Sequence, residues 1–325
     1  MPKRKDTDFL FLSALVREKE TAFLTADQFD RMIRAEAEGE VLRILEGAGY
    51  GPLGGVDAAS VERALHRRML STLKEFGDQG PAEQITDVFR VKYDYHNAKV
   101  LIKAEAADID GERLLLEGGR VPAHTFSECF HECIFGDMPP ALAKATVEAR
   151  ALLQANGDAQ AADILLDRAM YREYLDLATA AGDSFFIGYI RLSIDAVNLQ
   201  TAVRARRMRM DAAAIRAVLI PGGNISPQSV TEIADRKTTH TGTPLDKALA
   251  LVKPAIEDGD LTAFERECDN VLTAYLGKAR FVSFGLATVL SYMAALEREG
   301  TQVRIVMTGR GAKLSPDAIR ERMRD

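Results

Sequence analysis

The sequence predicts an all-α protein built from three similar helical lobes that form a pseudo-threefold internal repeat. Apolar residues recur at steps of three and four positions along most of the 325 residues, whereas the strict alternation typical of strands is scarce. The chain also repeats two of its own patterns at intervals of about one hundred positions, which is the size of a minimal domain. We therefore expect helices throughout, grouped into three units.

Two apolar stripes show the helical periodicity most clearly. Their members lie three or four positions apart, which places them on one helix face. They are Val88, Val91, Tyr95, Ala98 and Ile102 in the first stripe, and Ile187, Ile190, Ile194 and Val197 in the second. Both stripes are expected to face a core.

The same two stretches share a motif of three polar residues. An arginine is followed by an aspartate four positions later and an asparagine three positions after that: Arg90, Asp94 and Asn97 in the first copy, and Arg191, Asp195 and Asn198 in the second. The asparagines lie 101 positions apart (198 − 97). A third, weaker copy is centred on Glu299 and Gln302, 104 positions further on (302 − 198).

This motif favours a structural role over a catalytic one. Arginine and aspartate at i and i+4 can form an intrahelical ion pair, and an asparagine amide can hold a neighbouring segment through paired hydrogen bonds. An aspartate beside an asparagine is a poor acid–base pair, because an amide does not usefully exchange a proton.

A second pattern, an apolar residue followed by a helix start, occurs four times, at residues 24–29, 121–126, 225–230 and 314–319. Serine followed by proline at 226–227 and at 315–316 is typical of an N-cap and the first helical position. Glycine pairs precede two of the starts, at 118–119 and 222–223. The spacings predict helical lobes at residues 1–115, 116–218 and 219–325.

Composition argues against several kinds of partner and location. The 42 basic and 48 acidic residues are mixed along the chain and leave a net charge of −6, so we expect no nucleic-acid partner. Cys129, Cys133 and Cys268 cannot all pair, and no secretion signal is recognisable, which indicates a cytoplasmic protein. The longest uncharged run, residues 281–296, is shorter than the roughly 20 residues of a membrane span and is expected to be a buried core helix.

Taken in order, several segments resemble the C subunit of the V-type and A-type rotary ATPases, which is the counterpart of the eukaryotic d subunit. They are residues 9–51, the helix around 94–97, residues 189–206, the turn at 219–223 and residues 292–319. The third repeat departs from the family pattern, since Gln302 stands where an asparagine is usual.

The resemblance implies a non-catalytic adaptor shaped as a funnel of three helical lobes. Such a subunit lies on the cytoplasmic side of the membrane rotor ring, holds the central stalk and transmits torque for ATP-coupled proton or sodium transport. Its implied partners are the central-stalk subunits D and F and the proteolipid ring, so membrane contact would be indirect. No cofactor and no nucleotide are expected. The glycines at 309 and 311 lack the adjacent Gly-Lys-Ser/Thr of a phosphate loop, and we interpret them as a turn before a helix.

The alternative function is a soluble helical metal- or thiol-dependent enzyme that uses His124, Cys129 and Cys133. Cys129 and Cys133 are four positions apart and would share a helix face, whereas His131 would not. The paired spacings typical of zinc sites are absent, which favours buried structural thiols and no metal.

A basic run at the end of the second repeat is the strongest local charge. It consists of Arg204, Arg206, Arg207 and Arg209. A solvated helix face is one interpretation, and an interface with an acidic partner or with lipid head groups is the other. Among the surfaces visible in the sequence it is our candidate interface.

Overall fold

Helices form every regular element that the structure describes. The computed structural model describes residues 5–79, 83–259 and 261–323. The α-helices within these ranges are α1 (Leu10–Glu20), α2 (Ala26–Arg34), α3 (Glu38–Leu45), α4 (Ala58–Asp78), α5 (Glu83–Ala107), α6 (Ala123–Glu132), α7 (Pro140–Asn156), α8 (Ala159–Ala181), α9 (Ser184–Arg207), α10 (Ala212–Val218), α11 (Pro227–Ala234), α12 (Asp246–Leu249), α13 (Val252–Glu257), α14 (Leu261–Leu276), α15 (Leu286–Gly311) and α16 (Pro316–Arg320). The all-α prediction is confirmed.

All four predicted helix starts begin a helix, namely α2, α6, α11 and α16. Ser226 and Ser315 are N-caps, and their hydroxyl groups accept hydrogen bonds from the backbone N–H three residues later at 3.1 and 3.2 Å. Thr25 caps α2 in the same way at 3.2 Å. A side-chain oxygen at this position satisfies an amide that has no partner within the helix, so these three residues define where each helix begins.

The chain folds into two compact units. The central unit comprises residues 83–243, and the terminal unit combines the described residues before 83 with those after 243. Sequence periodicity reports on neighbours along one helix and not on which distant segments pack together, so it did not indicate this pairing of the two chain ends. The division into three lobes stays a prediction.

The core of the central unit is built around α5, α7 and α8, which pack on one another. Every member of the first predicted stripe, residues 88–102, is buried, and all but Val88 belong to this core, in which Tyr95 is fully enclosed with Phe126 and Phe130. In the second stripe, on α9, Ile190 and Ile194 are buried, while Ile187 and Val197 are half-buried.

The terminal unit is organised by α15, which packs against α1, α2 and α4. Its core includes Met32, Val41, Val303 and Val306, none of which is exposed. The uncharged run at 281–296 is a buried helix only from Leu286 onward, so that prediction was wrong for its first residues. Residues 281–284 are exposed because α15 begins after Gly285, whose φ of 133° is open to glycine and strained for other residues.

The two longest helices, α5 and α15, are polar enough along their length that neither meets the requirement for a membrane span. Among the described residues, no helix combines sufficient length with sufficient hydropathy to cross a bilayer.

Candidate functional site

Asp94, in the middle of α5, is completely buried and holds the segment that leads into α6. Its Oδ1 accepts a hydrogen bond from the backbone N–H of Val121 at 3.2 Å, and its Oδ2 accepts one from Arg120 Nε at 2.7 Å. Arg120 also donates to Glu173 of α8 at 2.5 Å, and the Tyr95 hydroxyl donates to the same carboxylate at 3.1 Å. This network ties α5, α8 and the start of α6 together.

Asp195, in α9, repeats the arrangement at the start of α11. It is completely buried, and its Oδ1 accepts from the backbone N–H of Ile225 at 2.9 Å. Its Oδ2 accepts from the backbone and side-chain N–H groups of Asn224 at 3.0 and 2.9 Å. Amide donors therefore replace the arginine that serves Asp94.

The asparagines of the motif each form a pair of hydrogen bonds with one backbone residue. Asn97 accepts from Leu116 N–H at 2.8 Å and donates to its carbonyl at 2.9 Å. Asn198 does the same with Ile220, and both distances are 2.8 Å. These contacts are the paired hydrogen bonds that the sequence suggested for the amides.

The glycine pairs allow the two turns to approach the carboxylates. A β-carbon at Gly119 would lie 2.3 Å from Asp94 Oδ1, and one at Gly223 would lie 2.1 Å from Asp195 Oδ1. The preceding glycines, at 118 and 222, have φ angles of 102° and 105°. Any larger side chain at 119 or 223 would push the turn away from the helix that holds it.

Glu299 of α15 forms the corresponding contact in the terminal unit. Its Oε2 accepts from the backbone N–H of Leu24 at 2.5 Å, next to the start of α2. Its Oε1 accepts from the Tyr50 hydroxyl at 2.6 Å and from Arg68 at 2.5 Å. In sequence, this weak third copy was recognisable only from its spacing.

Leu24, Val121 and Ile225 occupy the same position of the repeated helix-start pattern, and each donates its backbone N–H to a buried carboxylate. The sequence did not indicate the other donors to these carboxylates. Arg68, Tyr50, Arg120 and Asn224 lie outside the repeated motif and are distant from the acids along the chain.

Electrostatics at these sites follows from burial. Burial raises the pKa of Asp94 and of Asp195 above the usual aspartate range, although their hydrogen bonds partly offset the effect. Burial also raises the pKa of Tyr50, which therefore stays protonated and donates to Glu299. Every oxygen of these three carboxylates accepts a hydrogen bond from the protein itself, which is the arrangement of a structural site.

The arginines of the motif differ from the expected intrahelical pairing. The salt bridge of Asp94 is with Arg120, while the Nε atom of Arg90 is buried without a hydrogen-bond partner in the described part of the chain. Arg191 is exposed and lowers the pKa of Asp195 only as a minor contribution after burial and the hydrogen bonds. Since both carboxylates are satisfied from the following turn, the i,i+4 arginine is not needed for that purpose.

The basic run lies where α9 ends. Arg206 forms a salt bridge with Asp235 and donates to the Met210 carbonyl at 2.9 Å, so its charge is already compensated. Arg204, Arg207 and Arg209 are exposed, and Arg209 has a left-handed backbone with φ of 63°. The structure therefore leaves three of the four predicted interface residues on the surface.

The residues of the alternative enzyme do not converge. His124 is exposed and pairs with Glu128 at 3.3 Å. Cys133 ends α6 in a left-handed conformation with its Sγ 3.1 Å from Arg150 Nη1. Cys133 is exposed and Cys129 only half-buried, so the expectation of buried thiols was wrong for Cys133. Burial raises the pKa of the Cys129 thiol, which disfavours a reactive thiolate. Among the described residues, no group of three or more His, Cys, Asp or Glu side chains could hold a metal ion. The structure gives that alternative no support.

The glycine-rich segment at 309–311 also has a structural place. Gly309 and Gly311 lie in the last turn of α15, so the predicted turn begins only after them. A β-carbon at Gly309 would lie 2.7 Å from Ile319, and Arg310 donates to the Met32 and Ala35 carbonyls at 2.8 Å. This segment fastens α15 to its neighbours.

The buried carboxylates and asparagines of this all-helical fold fasten turns to long helices, and comparison with known proteins gives the family. The family described as "ATP synthase (C/AC39) subunit" matches residues 12–322, so the chain belongs to this family. Its relatives include the C subunit of the V-type sodium ATPase of Enterococcus hirae, 24% identical over 319 residues that cover 96% of this chain and 97% of that one. The C subunits of the A-type ATP synthases of Thermococcus kodakarensis and Halorubrum lacusprofundi are 25% and 26% identical over 98% and 95% of this chain, and the matches cover 90% and 95% of those proteins.

Proposed function

We propose that this chain is a non-catalytic adaptor of a rotary V/A-type ATPase that links the central stalk to the membrane rotor ring and transmits torque. The observation that carries the proposal is the family match over nearly the whole chain. The proposed partners are the central-stalk subunits D and F on one side and the proteolipid ring on the other. The protein would lie at the cytoplasmic face of the membrane and touch it only through the ring.

The buried carboxylates support this role because a subunit that transmits torque must be rigid. Asp94, Asp195 and Glu299 each fasten a helix start to a long helix through buried hydrogen bonds. Buried polar networks whose members are all satisfied rigidify a structure. We extend the proposal to three lobes arranged as a funnel; with the predicted bounds, each of these contacts joins one lobe to another.

The test of complex membership is affinity purification of the tagged full-length protein from detergent-solubilised membranes of its native host, followed by mass spectrometry. Recovery of rotor-ring and central-stalk subunits is the expected result. Recovery of the chain alone, also after gentle crosslinking, would refute the proposal.

The torque function is tested separately with Asn198→Leu, which removes two buried hydrogen bonds to Ile220. The complex that carries this variant is expected to retain ATP hydrolysis by its catalytic head and to lose part of the ion transport coupled to it. An unchanged ratio of transport to hydrolysis, in a variant shown to be less stable, would contradict the link between stiffness and coupling.

A further inference from the structure

A cleft in the terminal unit combines positive charge with apolar walls. It lies between the end of α14, the 3₁₀ helix Gly277–Phe281 and α15, and encloses about 520 Å³. Lys278, Arg280 and Arg298 line it, together with apolar groups such as Leu276, and none of its described lining residues is acidic. In a chain with a net charge of −6, such a cleft is a local concentration of positive charge.

The segment 277–281 forms one wall of this cleft, and α1 holds it and the residues that follow it in place. Arg17 donates to the carbonyls of Ala279, Arg280 and Val282 at 3.4, 3.4 and 3.0 Å, and its other nitrogen pairs with Glu20. The Ser13 hydroxyl accepts from Gly285 N–H at 3.1 Å. A binding surface that is ordered in advance loses less conformational entropy when a partner arrives.

Phe281 stands at the edge of the cleft with 78% of its surface exposed, although burying an aromatic ring is strongly favourable. The Arg280 guanidinium lies over this ring, 4.7 Å from its centroid. Val282 and Phe284 are also exposed, at 37% and 36%. Aromatic residues and arginine are the side chains enriched at the energetic centres of protein interfaces, and adjacent exposed apolar residues mark interaction surfaces.

We propose that this cleft and Phe281 form a docking site for a segment of a protein partner that carries carboxylates next to apolar side chains. Lys278 and Arg280 in the lining select for negative charge, and the apolar wall selects for a hydrophobic neighbour. Because the site is concave and of this volume, it fits the protruding side chains of a protein segment better than the flat surface of a bilayer. The inference rests on the proposed function, since the partner is sought among the other subunits of the ATPase.

The experiment measures binding to the rest of the complex, purified in detergent from a host strain that lacks this gene. Full-length Lys278→Glu/Arg280→Glu and Phe281→Ser are compared with wild type, and circular dichroism checks that each variant is folded. The charge-reversed variant is expected to bind about tenfold more weakly or worse, with a smaller loss of affinity on adding salt than wild type. Phe281→Ser should also weaken binding, but without changing the salt dependence.

Matched controls lie outside the cleft. Arg43→Glu with Lys253→Glu reverses two exposed charges in the same unit, and Ile134→Ser removes an exposed apolar side chain from the central unit. These variants should bind like wild type. Equal binding by wild type and the cleft variants would overturn the docking site, whereas failure of wild type itself to bind would instead contradict the proposed function.

Lipid is the competing occupant, and flotation with vesicles of phosphatidylglycerol and phosphatidylcholine tests it. The expected result is that wild type and Lys278→Glu/Arg280→Glu behave alike. Flotation of wild type that is lost in this variant, with binding to the complex unchanged, would assign the cleft to anionic lipid and refute the protein partner.

Discussion

Replacing Asn198 by leucine should destabilise the central unit strongly. Leucine has the same branching and number of side-chain heavy atoms as asparagine but neither donor nor acceptor, so Ile220 would lose both 2.8 Å hydrogen bonds in a buried environment. Each unsatisfied backbone group costs about 1–3 kcal/mol. Burial of the apolar surface that leucine adds stabilises the folded state by about 1–2 kcal/mol and offsets part of this cost. We expect a net loss of about 3 kcal/mol, or about 6–12 °C in the melting temperature of a unit of this size.

Urea denaturation of the purified full-length protein measures this loss, with Asn97→Leu as an internal comparison. Asn97 makes the same pair of hydrogen bonds, but its partner Leu116 is only half-buried, so water can replace part of what is lost. The order of stability should be wild type, then Asn97→Leu, then Asn198→Leu. Asn156→Leu, at an exposed position, should stay within about 0.5 kcal/mol of wild type.

The reasoning would be refuted if Asn198→Leu cost no more than Asn156→Leu, because the paired hydrogen bonds would then contribute nothing to stability. Equal losses for Asn97→Leu and Asn198→Leu would refute only the part of the argument that rests on burial of the backbone partner. A cooperative unfolding transition in each variant is required for either comparison.

Three further perturbations test the carboxylate contacts by urea denaturation. Gly223→Ala places a β-carbon 2.1 Å from Asp195 Oδ1 and should lower the free energy of unfolding by about 1–3 kcal/mol. Gly39 has open space around it, so Gly39→Ala should not destabilise the protein. Equal effects of the two substitutions would contradict the close approach. Burial raises the pKa of Asp195 in the folded state, so its contribution to stability is present at pH below the unfolded value and is lost as pH rises through the folded one. The stability advantage of wild type over Asp195→Asn should therefore shrink as pH rises above the usual aspartate pKa of about 4, and a constant difference would refute this. Arg68→Met leaves the buried Glu299 without its cation and should lower the free energy of unfolding by about 3–5 kcal/mol. Adding Glu299→Gln to this variant should recover part of that stability. If the destabilising effects of the two substitutions simply added, that result would count against a direct pair.

Local features of this fold could be predicted from the sequence because they depend on neighbours within one helix or turn. The helical class, the buried stripe at 88–102 and the capped starts of α11 and α16 all follow from periodicity and from the chemistry of serine followed by proline. The paired hydrogen bonds of Asn97 and Asn198 were anticipated because the same residues recur at the same spacing in two helices.

Pairings between distant segments could not be predicted in this way. Arg120 reaches Asp94 across 26 positions and Glu173 across 53, and Arg68 reaches Glu299 across 231. The i,i+4 spacing made Arg90 the expected partner of Asp94, because it places both side chains on one helix face. Spacing does not reveal that Arg120, from a distant part of the chain, is better placed to pair with Asp94. The exposure of Phe281 was likewise hidden, because the uncharged run that begins with this residue looks the same in a core and on a surface.

The third carboxylate contact shows how a repeat can diverge without losing its interaction. At the two turns held by aspartate, the residue two positions before the contacting N–H is glycine, Gly119 or Gly223, and the carboxylate lies too close to admit a β-carbon. At the turn held by Glu299 the corresponding residue is Ala22. This turn therefore carries a β-carbon, and glutamate has one methylene more than aspartate with which to reach the N–H of Leu24. The motif is therefore weak when compared residue by residue, since Glu299 and Ala22 both differ from their counterparts in the other two copies although the hydrogen bond to the helix start is present.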